Sequence, residues 1–429
     1  MKSIFKEWQE IWVPEFKPRM IDCSLFFPKK IRKIISFTGC RRVGKTYLMF
    51  QLIDFLATKI EKENIFYINF EDERIERDVK TVTNILPNLI ELYGEKNFYL
   101  FLDEVHVMPK WDVWLRRIYD TYRNINLFIS GSSSKLSNKE LPYALRGRTL
   151  NFEVFPLSFK EFLFFKNFKI EKDFEYSGRK KAVMKRFLQE YLFYGGFPEI
   201  ILEDDERKKR QMVQEYFRTI IVLDLGERYK IRNMSILSDF LKLLLNSTSF
   251  SVNKTYNTLK SGGKKVGKGS LINYSRYLEE IYFCHFIPIF SYKIKDQLQY
   301  MKKVYFADNS FINLVGLKFS KDSGREYENV VALKLIKDFG RENIFYWKNR
   351  QGREADFVIR QGLEVKKIVQ VCYNINEAET KKRELKSLIE ASKELKCKDL
   401  LVITEDYDCM EKYERKKIRF IPLWKWLIE

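Results

Sequence analysis

The stretch Gly39-Cys40-Arg41-Arg42-Val43-Gly44-Lys45-Thr46 has the spacing G-x-x-x-x-G-K-T. It follows an apolar run, Ile34-Ile35-Ser36-Phe37, and precedes a helical pattern, Tyr47-Leu48-Met49-Phe50-Gln51-Leu52-Ile53. A strand, a glycine loop and a helix in that order make a cradle for phosphate. Gly39 and Gly44 let the backbone curl so that successive N–H groups face phosphate oxygens. The helix they open also presents its positive dipole end to the anion. Lys45 then reaches the β- and γ-phosphates, and Thr46 a Mg²⁺ ion. A second apolar run, Phe98-Tyr99-Leu100-Phe101-Leu102, ends in Asp103-Glu104. Acids at the carboxyl end of a buried parallel strand sit where such sheets bind ligands. Asp103 is expected in the Mg²⁺ shell, and Glu104 is expected to polarise a water for attack on the γ-phosphate. ATP and Mg²⁺ are the expected ligands, and hydrolysis the expected reaction.

The elements that must position these residues follow from pattern. The chain has 429 residues, room for two to four domains. Residues 1–30 form a lead-in, with an amphipathic turn around Trp8, Ile11 and Trp12 that Pro14 and Pro18 interrupt. Strands are predicted at Lys33–Phe37, Asn64–Asn69, Asn97–Leu102 and Asn126–Ser130, alternating with helices. That rhythm predicts a parallel sheet covered on both faces, in an ATPase core spanning 31–158. The fourth strand runs into Ser130-Gly131-Ser132-Ser133-Ser134. A hydroxyl there would either lie beside the γ-phosphate, as a sensor would, or simply fill a turn. Leu145-Arg146-Gly147-Arg148 comes next, before a strand at Leu150–Phe155. An arginine in this place either reaches a neighbouring subunit's nucleotide or is an ordinary surface cation.

Residues 159–230 read as aromatic-rich helices, one of them stopped by Tyr194-Gly195-Gly196-Phe197-Pro198. Residues 231–310 have the rhythm of a winged helix. Helices are predicted at Ile236–Leu245, Val252–Leu259 and Leu271–Ile281, then strands at Phe286–Tyr292 and Lys303–Phe306. The last helix of such a module enters a DNA major groove, and the basic loop Lys260–Lys268 is suited to phosphate contact, although the same module also spaces proteins apart. Residues 311–429 form a further α/β unit. It has helices at Glu326–Phe339 and Glu377–Leu395, and strands at Asn343–Trp347, Ala355–Ile359, Ile368–Tyr373 and, last, Asp399–Ile403.

Charge is the main global feature. With 78 basic and 58 acidic residues the formal charge is +20. This favours a polyanionic partner, nucleic acid or a membrane surface, and nucleic acid is preferred over the alternative of a thermophile's Lys- and Glu-rich surface, which tends to balance its signs. No apolar segment approaches the length of a membrane span, and the first residues carry no apolar core with a small-residue cleavage site. The six cysteines form no C-x-x-C pair, so neither zinc nor a disulfide framework is expected. The expectation is a cytoplasmic protein without a membrane partner.

Several motifs together resemble a known group. They are the phosphate loop, Asn69-Phe70-Glu71-Asp72-Glu73-Arg74, Leu102-Asp103-Glu104-Val105, Leu145-Arg146-Gly147-Arg148, Pro156-Leu157-Ser158-Phe159 and Gly195-Gly196-Phe197-Pro198. The combination resembles the archaeal and bacterial AAA-type ATPases related to the STAND signalling NTPases. The resemblance implies an α/β protein with a P-loop core, a helical lid, a winged helix and a C-terminal domain similar to PD-(D/E)xK nucleases. It implies homo-oligomers in which Arg148, or failing that Arg146, is an arginine finger, and in which Ser132 is a sensor. The C-terminal unit departs from an active nuclease. Asp356 fits the first acid and Glu328 could assist it. The turn at Gln361-Gly362 brings Gln370 and Cys372, not a carboxylate and a lysine, opposite Asp356. The literal Glu364-Val365-Lys366 sits near the turn. Cutting is therefore expected to be lost. Three readings follow: an ATPase engaging DNA, a nucleotide-gated switch acting on protein partners, and an active metal-dependent nuclease using Glu364 and Lys366.

Overall fold

A computed structural model describes residues 1–27, 30–131, 145–170, 177–316, 323–375 and 377–429. The chain divides into two compact units, Met1–Phe155 and Pro156–Glu429.

The first unit is built on five strands, of which all but the last are largely apolar on both faces, so both faces must be covered. They are β1 (Ile34–Thr38), β2 (Ile65–Asn69), β3 (Phe98–Asp103), β4 (Ile125–Ser130) and β5 (Thr149–Glu153). All neighbours are parallel, in the order β2-β3-β4-β1-β5. The chain leaves β1 for one edge and leaves β4 for the other. That divergence opens a crevice outside the carboxyl ends of the central strands. Helices Lys45–Ala57, Val79–Tyr93 and Trp111–Thr121 connect the strands. The lead-in is tied down. Helix Lys2–Ile11 lays Phe5 against Phe66, and Trp8 donates its indole N–H to the Ile65 carbonyl at 2.9 Å. Ile11, expected on the packed face, is exposed. Further on, Arg19 and Gln51 exchange hydrogen bonds of 2.8 and 3.0 Å, and the Arg19 guanidinium donates to the Phe155 carbonyl at 2.9 Å.

The second unit starts with helices Phe159–Phe165, Gly178–Tyr194, Pro198–Leu202 and Glu206–Thr219. Ser158 and Glu161 form a capping box at the first of these. Helices Met234–Leu245, Val252–Ser261 and Lys268–Glu280 follow, with a small antiparallel sheet of β6 (Ser249–Phe250), β7 (Cys284–Ile287) and β8 (Lys302–Phe306) in the order β6-β8-β7. The strand expected at Phe286–Tyr292 ends early. Pro288 has no N–H for the ladder, and helix Ile294–Gln299 fills the return to β8.

The last sheet has six strands: β9 (Ile344–Lys348), β10 (Glu354–Gln361), β11 (Glu364–Cys372), β12 (Leu400–Thr404), β13 (Cys409–Tyr413) and β14 (Lys416–Pro422). Their order is β13-β14-β12-β11-β10-β9. The strand expected to be last is thus followed by two more. Of these, β13 alternates half-buried and exposed residues, and β14 buries Ile418, Phe420 and Ile421 only after a charged start at Lys416-Lys417, whereas β12 is buried throughout. Helix Ala378–Glu394 packs Leu385, Leu388 and Ile389 into the core of this sheet.

Candidate active site

The phosphate loop begins where β1 ends. Gly39 has φ 143°, and a Cβ there would lie 2.3 Å from the Val154 carbonyl oxygen, so only glycine fits against β5. Gly44 takes the left-handed region at φ 90° and opens helix Lys45–Ala57, while Val43 is buried beneath the loop. Arg42, between them, has φ 68°. Cys40 is buried, and Arg41 and Arg42 line the outside of the turn. Lys45 is buried and donates to the carbonyls of Gly39 at 3.2 Å and Cys40 at 3.0 Å. These are neutral acceptors on its own loop, the sort of contact a phosphate oxygen can replace.

Asp103 is 3% exposed at the end of β3. Its carboxylate accepts from the Thr46 hydroxyl at 2.7 Å, the Tyr67 phenol at 2.8 Å and the Ser130 hydroxyl. Burial pushes the Asp103 carboxyl up, with Glu104 adding, and the three hydroxyl donors oppose the shift. Burial, then Asp103 itself, holds the Tyr67 phenol well above its ordinary value, so it remains a donor. A hydroxyl and a carboxylate touching at the base of the loop are the hard-oxygen pair that Mg²⁺ takes beside substrate phosphates. Glu104 follows at φ 51°, a conformation that costs on the order of 1–3 kcal/mol and concentrates at functional sites. Its carboxylate lies 3.1 Å from His106 Nδ1.

Tyr67 and His106 were not singled out from sequence as parts of this site, and Ser130 was read only as one of several hydroxyls ending the fourth strand. Tyr67 left a signal, since a phenol in a buried strand needs a polar partner. Ser132, expected as the sensor, lies outside the described residues. Arg148 lies at the opposite end of the sheet from its own loop, because Ile34 pairs with Thr149 and Thr38 with Glu153. Its guanidinium forks onto Asp120 with bonds of 2.8 and 2.9 Å. Arg146 is exposed, at φ 48°.

Comparison with known proteins now bears on this geometry. Residues 31–163 match the family described as AAA domain. Residues 185–322 and 323–426 match two domains of unknown function, DUF8612 and DUF4143. An uncharacterized protein of Methanocaldococcus jannaschii, MJ1544, is 39% identical over 410 residues, which is 93% of this chain and 88% of that protein. The chain belongs to the MJ1544 family. An uncharacterized protein of Haemophilus influenzae is 28% identical over 65% of this chain and 67% of its own length. Two solved structures are similar in part. The Walker-type ATPase PABY2304 of Pyrococcus abyssi has a TM-score of 0.45 and 14% identity, covering 70% of this chain and 99% of its own. The Aeropyrum pernix ORC1 protein in complex with DNA has a TM-score of 0.30 and 12% identity, covering 73% and 90%. This member of the MJ1544 family has an AAA-type ATPase fold in its first unit. Among the described residues no helix is long and apolar enough to cross a membrane.

In the second unit of this family member, two further clusters answer to sequence motifs. The Gly195-Gly196 pair is shaped by Asp308. Gly195 has φ 77°, and a Cβ there would meet Asp308 Oδ1 at 1.6 Å. Gly196 N–H donates to Asp308 Oδ2 at 2.7 Å, and a Cβ on Gly196 would strike the Leu157 carbonyl at 2.4 Å. The other cluster surrounds Asp356. The hairpin register pairs Phe357 with Val369 and Gln361 with Glu364, so Glu364 and Lys366 lie at the turn, exposed and ion-paired to each other at 2.8 Å. Gln370 accepts from Asp356 N–H at 3.2 Å and donates to Glu384 at 2.6 Å, and Cys372 is buried. A lysine does reach Asp356. It is Lys303, from β8, and it also meets Glu328 and Glu354.

Proposed function

We propose that this chain hydrolyses ATP with Mg²⁺ and does so as a homo-oligomer. Its successive parts would be a P-loop core at 31–158, a helical lid at 159–230, a winged helix at 231–310 and a nuclease-like unit at 311–429. The observation that carries the reading is the meeting of Thr46 and Asp103 beneath the phosphate loop, with Glu104 next in line. ATP phosphates take the loop N–H groups, and the Lys45 ammonium leaves its two carbonyls for them. Thr46 and Asp103 would hold Mg²⁺, which when bound draws charge off the β- and γ-phosphates. Glu104 orients a water and takes its proton as the new O–P bond forms, and the β–γ bridging oxygen leaves on ADP. His106 Nδ1, 3.1 Å away, is the side chain placed to steady the Glu104 carboxylate when protonated. Arg148 faces away from its own loop, so the γ-phosphate it serves belongs to another copy. Glu104→Gln tests the chemistry. Steady-state phosphate release should fall about 10²–10⁴-fold while nucleotide binding persists. Undiminished turnover removes Glu104 from the reaction.

Coupling to DNA is part of the proposal. The charge of +20 supports it. So does the outer face of helix Lys268–Glu280, where Lys268, Ile272, Asn273 and Arg276 are exposed. Lys264 is committed to Asp239 at 2.7 Å and Arg276 is more loosely paired with Glu280 at 3.6 Å, so Lys265 and Lys268, with Arg276 beside them, are the cations of choice. Duplex binding followed by fluorescence anisotropy should weaken steeply with salt. Replacing those three with Ala should lower the log–log salt slope by roughly 3, since each phosphate contact contributes about 0.9. If neither duplex nor single strands bind at low salt, nucleotide-gated assembly with protein partners takes the place of DNA.

A further inference from the structure

Three carboxylates converge on one ammonium in the second unit. Lys303 Nζ lies 2.8 Å from Glu328 Oε1, 2.8 Å from Glu354 Oε1 and 2.8 Å from Asp356 Oδ1. An ammonium has three N–H donors, and these contacts use all of them. The carboxylates are themselves held. Glu328 accepts from the Tyr305 phenol at 2.6 Å, Asp356 from Val371 N–H at 2.9 Å, and Glu354 pairs with Lys348 at 3.0 Å. The cluster forms part of the wall of a cavity of about 1370 Å³. Lys303 belongs to β8 and to the segment matched by one domain of unknown function, and the three acids belong to the other.

The resemblance to PD-(D/E)xK nucleases implies a hard divalent ion at Asp356, and the residues present do not fit one. A hard divalent ion would have to take the same carboxylate oxygens that the Lys303 ammonium already holds in charge-assisted hydrogen bonds at 2.8 Å. Where a further acid would complete a metal shell, Gln370 is already bonded in both directions. Among the described residues no group of three or more His, Cys, Asp or Glu side chains is disposed to hold a metal. We propose that Lys303 is the resident cation of this cluster. Its ammonium takes the place a divalent ion would need, and it does so from a different segment of the chain. The cluster is therefore kept metal-free by a built-in latch, and removing the amino group turns it into a divalent-cation site.

Mn²⁺ binding to the full chain, without nucleotide, tests this by electron paramagnetic resonance of the free ion. Wild type and Glu328→Gln should bind the same number of Mn²⁺ ions, because neither offers the cluster to metal. Lys303→Met should bind one more per chain than wild type, and adding Asp356→Asn should abolish the extra ion. Should Lys303→Met not fold, Lys303→Met with Glu354→Gln leaves less repulsion and makes the same prediction. A wild-type Mn²⁺ ion that disappears in Glu328→Gln overturns the proposal. So does a folded Lys303→Met that gains no ion. So does Mn²⁺-dependent cleavage of plasmid by wild type that Lys303→Met loses, since Lys303 would then be catalytic.

Discussion

Lys45 and Lys303 are both buried, and their surroundings differ in one respect that decides what each can do. Lys45 rests on two neutral carbonyls of its own loop, at 3.0 and 3.2 Å. Lys303 is held by three carboxylates. Burial alone would push the Lys303 ammonium down, but Asp356 and Glu328 hold it well above its ordinary value. A buried cation on carbonyls keeps its charge for an arriving anion. A buried cation among acids has already spent it. On the proposed function the first site has neutral contacts that a phosphate would replace, and the second has its charge matched within the chain.

In the proposed reading the first site also needs an arginine from a second chain, and that is the sharpest way to test the contrast. Arg148 and its own phosphate loop occupy opposite ends of β1 and β5, about 15 Å apart by strand rise. Arg148→Ala should lower turnover by roughly 10³–10⁵, the range for arginine fingers supplied in trans. Specific activity of the wild type should rise with protein concentration. A flat profile from a species that light scattering reports as monomeric would show the first site to be self-sufficient, and the contrast with the second would fail.

The two lysines make opposite predictions when removed. Lys45→Ala should abolish nucleotide binding and leave unfolding by denaturant almost unchanged, because only carbonyl contacts are lost. Lys303→Ala should leave nucleotide binding intact and lower stability by about 3–5 kcal/mol, because it strands buried carboxylates without their cation. Calorimetric titration with a non-hydrolysable ATP analogue and a guanidinium melt of each variant decide the matter. Equal stability losses in the two variants would erase the distinction drawn here.

What sequence made legible follows the same division. The parallel sheet, the loop and Asp103 were readable because each rests on a short contiguous signal: an apolar run, a glycine spacing, an acid at a strand end. The exchange between Thr46 and Asp103 bridges elements, but both ends belong to recognisable motifs. Lys303 had no such signal. It lies in an ordinary strand pattern, Lys302–Phe306, and its meaning depends on acids that arrive 25 to 53 residues later. The Gly195-Gly196 pair was visible as a helix stop. Its cause, the Asp308 carboxylate 112 residues away, was not. The edge strand β13 escaped because its half-buried residues alternate too loosely to stand out from a loop, and β14 because Lys416, Lys417 and Arg419 interrupt its apolar residues.

Asp308 offers the smallest and most discriminating test, since it is a buried charge of a third kind. No cation faces it among its hydrogen-bond partners, which are Gly196 N–H, Ser310 N–H and the Ser310 hydroxyl. Burial pushes its carboxyl up to about 6, and those donors hold it back only in part. In the unfolded chain the ordinary value is 3.8. The folded state therefore binds this proton more tightly, so stability from this group is present at low pH. It is lost as pH rises from about 4 to about 6, by up to about 3 kcal/mol. This is opposite in sign to Glu354, which burial would raise but Lys303 and Lys348 hold below its ordinary value, so that its contribution is lost as pH falls. Denaturant melts of wild type and Asp308→Asn at several pH values between those limits isolate the effect, because other titrating groups cancel in the difference. The wild type should lose stability relative to the variant as pH rises. Parallel profiles would mean that neutral N–H donors stabilise a buried carboxylate as well as an ammonium does, and the distinction between Lys45 and Lys303 would rest on geometry alone.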